Sequence, residues 1–139
     1  MLIHTLLLLH RLTSLNLTNI KMGHKALTLL KDFLAGENRL NSLAVGYNEF
    51  TPTMVKTLIT FIENKSELTE LDISSTLFSA SSLTAVLKAL TKNNKIKKLT
   101  LNGNKIDKKE GVAMLKELIV NSVTIEQLFI RNCDLDKVR

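Results

Sequence analysis

The stretch LNSLAVGYNEF, residues 40–50, decides how the whole chain is read, because its spacing returns four more times. Leu40, Leu43, Val45, Asn48 and Phe50 hold the fixed places. The equivalent sets are Leu12-Leu15-Leu17-Ile20-Met22, Leu68-Leu71-Ile73-Thr76-Phe78, Ile96-Leu99-Leu101-Asn104-Ile106 and Ile125-Leu128-Ile130-Cys133-Leu135. They begin at residues 12, 40, 68, 96 and 125, steps of 28, 28, 28 and 29. A fixed period of this size marks stacked units, each too small to bury its own apolar face.

Two periodicities alternate inside each unit. Ser14-Leu15-Asn16-Leu17-Thr18 alternates polar and apolar, which predicts a strand with Leu15 and Leu17 inward and their neighbours outward. Corresponding strands are expected at 42–46, 70–74, 98–102 and 127–131. Further along, the spacing turns helical: Met54, Val55, Leu58, Ile59 and Ile62 share one face, as do Leu83, Val86, Leu87 and Leu90, a stripe directed at a core. Val112, Leu115, Leu118 and Ile119 repeat it, and Leu27, Leu30 and Leu34 are the counterpart in the first unit.

Punctuation falls between the halves. Gly23, Thr51, Ser79, Asp107 and Asp136 share one column, and all are types favoured at helix N-caps. Pro52 suits a first helical position, and Asp107 with Glu110 has capping-box spacing. Gly36 and Asn64 stand where a left-handed C-terminal turn is expected. Leu34 lies one period after Leu6, so residues 1–9 read as the helix tail of an incomplete unit. Residues 1–139 thus form a single domain of strand–helix units.

With five matches, the chain resembles leucine-rich-repeat proteins of the ribonuclease-inhibitor-like class over residues 2–135. The resemblance implies an α/β solenoid bent into a horseshoe, with about five parallel strands on the concave face and α-helices on the convex face. Strands are narrower than helices, so stacking such units curves the array. It also implies that Asn48 and Asn104 bond neighbouring backbone in a ladder at the strand exits. Thr76 and Cys133 would be smaller substitutes there. Ile20 has no donor, so the ladder is expected to break in the first unit. Solenoids need polar capping units, and here Ile130, Leu135 and Val138 follow with little to cover them. A fragment of a longer array is the expectation, with closure by a partner as the alternative.

Composition narrows the function. Hydrophobic content of 45% with 4% aromatics implies a core of Leu, Ile and Val. No apolar run reaches the roughly 18 residues of a membrane span, and residues 2–9 lack the basic lead and cleavage site of a signal peptide. Cys133 is the single cysteine, which suits a reducing cytoplasm. His4, His10 and His24 lie early in the chain, without a cysteine or carboxylate pair at metal-ligand spacing. No Gly-rich phosphate loop is present, and Cys133 has no histidine in register to act as its base. No catalytic residue, metal or cofactor is expected, and the chain is read as a non-enzyme.

The formal net charge is +6, but residues 88–116 hold nine lysines against Asp107 and Glu110, a net of +7 that leaves about −1 elsewhere. Such a block could meet nucleic acid or an anionic membrane, or it is a solvated helix face with its loops. Against single-strand recognition, it contains no interleaved aromatics.

Specialised residues belong at outward strand positions and strand exits, which bury nothing. Partner-binding candidates there are Asn16, Thr18, Tyr47, Glu49, Glu70, Asp72, Lys98, Thr100, Asn102, Phe129 and Arg131. Glu70 and Asp72 make an acidic centre flanked by Lys98, suited to a basic or hydroxyl-bearing protrusion. Phe129 beside Arg131 has a typical interface composition, or else packs against a further unit. Five strands at about 4.8 Å, each about 17 Å long, offer only ~300–350 Å², well under the ~800 Å² per side of a standard interface. The rim must therefore take part: Tyr47, Glu49, Leu77, Lys105 and Asp134. The expected partner is another protein with a convex loop or a cleft, which family inhibitors fill by steric occlusion. The Lys/Asn/Ile-rich runs KNNKIKK and NGNKIDKKE resemble those of secreted leucine-rich-repeat effectors of intracellular bacterial pathogens, which would place the protein in a host cytosol. The family also includes small-GTPase activators, an alternative role.

Overall fold

The computed structural model describes residues 11–64 and 67–137. Strands and helices alternate: β1 (Ser14–Asn16), α1 (His24–Ala35), β2 (Ser42–Ala44), α2 (Pro52–Asn64), β3 (Glu70–Asp72), α3 (Ala80–Lys92), β4 (Lys98–Thr100), α4 (Lys109–Asn121), β5 (Gln127–Phe129) and a 3-10 turn (Leu135–Lys137). The strands form one parallel sheet in chain order, each pair in register, so that Leu15, Leu43, Leu71, Leu99 and Leu128 line up. Successive helices also pack in chain order, α1 on α2, α2 on α3 and α3 on α4. The expected helix tail over residues 1–9, and Val138, lie outside the described residues.

The strands are three residues long rather than the five expected, yet backbone bonding continues past them. Leu17 N–H reaches Ala44 O at 2.8 Å and Asn19 N–H reaches Gly46 O at 3.0 Å, with matching bonds from Val45, Tyr47, Ile73, Ser75, Leu101 and Gly103. At the entry side, the carbonyls of Thr13, Asn41, Thr69 and Lys97 each accept two successive N–H groups of the next unit. Regular pairing stops because the backbone turns left-handed at the exit. Asn19, Tyr47, Ser75, Gly103 and Asn132 have φ of 53°, 57°, 46°, 74° and 55°.

The core is the predicted one between sheet and helices. Leu43, Val45, Leu71, Ile73, Leu99 and Leu101 are buried beneath Leu30, Leu34, Leu58, Ile62, Val86, Leu87 and Leu90. Phe33, Phe50 and Phe61 join them, and the Phe50 and Phe78 rings meet edge to face at 6.0 Å. Ile119 departs from the expected stripe. It shares its column with the polar Glu63, exposed, and Thr91, half-buried, and stands 53% exposed.

Helix ends follow the column in part. Thr51 Oγ1 accepts from Met54 N–H at 3.3 Å, Ser79 Oγ accepts from Ser82 N–H at 3.2 Å, and Pro52 opens α2. Asp107 does not cap: α4 starts later, its N-cap is Lys108, and no side-chain cap bond forms. Nor does Asp136 precede its helical turn, which already begins at Leu135. Gly36 is extended (φ −87°, ψ −173°) rather than left-handed, as are the C-caps Asn93 and Ser122. Side chains take over there. Asn93 Nδ2 donates to Ile62 O at 2.8 Å, and its Oδ1 accepts from Lys95 and Ile96 N–H. The Nδ2 bond satisfies a helix-end carbonyl of α2 that a left-handed turn would otherwise have served, while the Oδ1 bonds shape the loop into β4.

Candidate interaction surface

Asparagines fix the geometry of the strand exits. Asn48 Nδ2 donates back to Leu17 O at 2.8 Å and within its own turn to Val45 and Gly46 O. Asn104 does the same toward Ile73 O at 2.8 Å and Leu101 O at 3.0 Å. The shorter Thr76 bonds Ile73 O in its own unit and Asn104 Oδ1, not the preceding unit. Cys133 Sγ reaches Leu101 O at 3.3 Å. The thiol is pushed above its ordinary pKa, chiefly by burial, which opposes the thiolate needed for reactivity. Ile20 stands 41% exposed, contributing nothing to this series.

On the solvent side of the sheet, the register sets Ser42, Glu70, Lys98 and Gln127 side by side, and below them Ala44, Asp72, Thr100 and Phe129. Glu70, Asp72, Lys98 and Thr100 surround a depression of about 190 Å³, with Leu43, Ala44 and Leu71 completing it. Asp72 is held in place: its Oδ1 accepts from Ser74 N–H at 2.9 Å and Ser74 Oγ at 2.6 Å. Glu70 and Lys98 are register partners, but no ion pair joins them.

The remaining candidates do not converge on this depression. Asn16 and Thr18 belong to the first unit, where Asn16 Oδ1 accepts from Thr18 N–H at 3.0 Å, a local bond. Asn102 Oδ1 accepts from Arg131 N–H at 2.7 Å, so its side chain joins two strand exits. Phe129 and Arg131 are exposed at the β5 edge, and Tyr47 and Glu49 on the loop leaving β2. Ser74, which orients Asp72, falls outside the candidates read from sequence; a serine two residues after an aspartate is the signal that could have found it. Gly46 does not open space on the face, as Ala44 does. A Cβ there would lie 2.8 Å from Ser74 O, so glycine is required by the close approach of β3's exit.

Tyr47 is the misfit of its column. Its companions are Asn, Ser, Gly and Asn, types that tolerate positive φ, whereas a bulky residue there is an outlier. Its amide is committed to Ser74 O at 2.7 Å, and its ring stands 56% exposed. Leu77, at φ 56° and 74% exposed, and Lys21, at φ 54°, are further bulky residues at positive φ, each two places past the exit column.

Two larger depressions, each about 380 Å³, lie on the helix side around Thr53, between α1 and α2. Their hydroxyls at Thr28 and Thr57 donate to His24 O and Thr53 O of their own helices, leaving Lys31 and Lys56 as one cation each. They lack the few convergent polar groups of a ligand site. The basic block is likewise dispersed. Lys92, Lys95 and Lys97 fall at the helix-end and strand-entry edge, and Lys105, Lys108 and Lys109 at the opposite edge of the unit. Lys97 Nζ lies 3.9 Å from Glu126 Oε1, both side chains exposed. Among the described residues, no helix is long and apolar enough to cross a membrane.

No protein-family profile matches the chain, and no curated protein matches it. Among solved structures it is similar to leiomodin-1 actin-binding site 2, with a TM-score of 0.73 and 16% identity over 88% of this chain and 72% of that one. At that identity the likeness is one of fold.

Proposed function

We propose that the chain is a leucine-rich-repeat module of the ribonuclease-inhibitor-like class, a horseshoe that binds another protein through the solvent side of its sheet and the strand-exit rim. The observation that carries it is Tyr47: an exposed aromatic held at φ 57°. Strained backbone of order 1–3 kcal/mol at a residue that packs against little points to function. At the other end of the strands the sheet face carries two charges that form no ion pair with each other, Glu70 and Lys98. Three-residue strands cover only about 10 Å along their length, so the rim contributes more of the contact than the sheet.

An inhibitory outcome by occlusion, and a role as a bacterial effector in a host cytosol, extend the proposal on resemblance alone. An exclusively electrostatic role in binding nucleic acid or membrane is disfavoured by the division of lysines between two edges. The chain itself supplies binding rather than catalysis in this proposal.

The test is capture from host-cell and bacterial lysates with wild type, Tyr47→Ala, Asp72→Ala and Phe129→Ala, read by mass spectrometry. A partner retained by wild type and lost by these variants supports the sheet and rim; full retention by all three refutes it. Co-sedimentation with purified actin is a further arm, because the solved neighbour is named as an actin-binding site. A panel of small GTPases is another, covering the alternative family role.

A further inference from the structure

We propose, resting on the protein-binding role above, that the face of β3–β5 receives a dipolar segment of the partner lying across the strands. One cationic side chain enters the depression on its Glu70–Asp72 side, and a carboxylate two or three residues away sits over Lys98, which lines the opposite side.

Size selects the occupant. At about 190 Å³ the depression is smaller than the ~300–1,000 Å³ of small-molecule pockets, and suits one long side chain. Ala44 is the small residue of the row and makes the room. The aliphatic stem of an arginine or lysine can lie along it, leaving the charged head at the carboxylates.

Asp72 is prepared for that head. With Oδ1 held by the Ser74 amide and hydroxyl, its orientation is set in the free protein, and ordering costs on binding fall accordingly. Its second oxygen and the Glu70 carboxylate remain for the incoming donor. Glu70 and Lys98 form no ion pair with each other, so neither gives up such a bond when the partner arrives.

Sign then changes across the sheet. Lys98 is one strand from Glu70 in the same row, whereas Arg131 lies four residues beyond Gln127, the register partner of Lys98, and takes no part. One strand step across and two residues along separate Lys98 from Asp72, about 8 Å, a distance that two or three residues of extended chain cover. Phe129, exposed in the Asp72 row one strand beyond Thr100, offers a ring for an apolar residue. A partner segment of uniform charge would meet repulsion at one end, and such like-charge contacts provide specificity.

A randomised cyclic-peptide display library, selected separately on wild type and on the E70Q/D72N double variant, tests this. The amide introduced by D72N keeps an oxygen acceptor for Ser74, and a thermal melt confirms that both proteins are folded. Peptides from wild type should share a basic residue with an acidic one two or three positions away. They should bind the double variant about tenfold to a hundredfold more weakly, as loss of hydrogen bonds to a charged group implies. K98Q should relax the acidic position alone. Peptides without this charge pair, or unaffected by E70Q/D72N but lost on Tyr47→Ala, would overturn the dipolar occupant and leave rim binding standing. No peptide on either protein would sink the protein-binding role and this inference together.

Discussion

The third and fifth units carry the same motif and end in different states. Leu68, Leu71 and Ile73 are fully buried, whereas Ile125, Leu128 and Ile130 are only partly so, with Leu135 and Val123 exposed beside them. The residue types are equivalent, and so is the register. What differs is the neighbour, since β3 has a strand on both sides and β5 on one. Burial in a stacked array is therefore conferred by the adjacent unit as much as by the residue's own.

The largest expected effect follows directly. Leu71→Ala should destabilise by about 3 kcal/mol, because it deletes buried methyls and leaves a cavity between two fixed units. Leu128→Ala should cost about 1 kcal/mol, since less area is withdrawn from water and the open side can relax. Urea unfolding of the two variants measures the gap. Equal losses would mean that something covers β5 in solution, and a concentration-dependent midpoint would identify it as self-association.

The strand-exit series sharpens the same contrast at a lower magnitude. Asn104→Ala should cost about 2–3 kcal/mol, because the carbonyls of Ile73 and Leu101 lose one donor each and the buried Thr76 N–H and hydroxyl lose their shared acceptor. Cys133→Ala removes only a weak thiol donor at the edge unit, so about 1 kcal/mol or less is expected. If Cys133→Ala matches Asn104→Ala in denaturant, the last unit is as tightly held as the middle.

Much of this architecture is legible in the chain. Leu, Ile and Val at fixed places repeat five times, so period, register and inward faces show through any single irregularity. Helix boundaries are less legible, because Asp107 and Gly36 speak only through local propensity. One is displaced by the later start of α4, and the other gives way to Asn38, whose side chain bonds the helix-end carbonyl of Phe33. On the sheet face, Glu70, Asp72 and Lys98 are visible as breaks in an otherwise neutral row. Gly46 is not, because its need for glycine comes from the Ser74 carbonyl, 28 residues on and one strand over, whereas Ser74 is signalled only by its two-residue spacing from Asp72. Close approach between strands leaves no trace in a periodic pattern.

The smallest effect separates scaffold from function within one column. Asn19 and Asn132 meet the left-handed requirement with a residue suited to it; Tyr47 meets the same requirement at φ 57° with a bulky one. Left-handed backbone costs an ordinary residue roughly 1–2 kcal/mol, and asparagine less because its short polar side chain bonds locally. Tyr47→Asn should therefore stabilise the protein by about 0.5–1 kcal/mol, the reverse of what removing an aromatic does in a core. Its amide bond to Ser74 O is backbone and survives the change. Binding of a captured partner should weaken in the same variant, as expected where function is kept at a cost in stability. A loss of stability instead, seen as a lower urea midpoint, would show that the ring packs onto its own rim, and Tyr47 would then belong with the scaffold like Asn19 and Asn132.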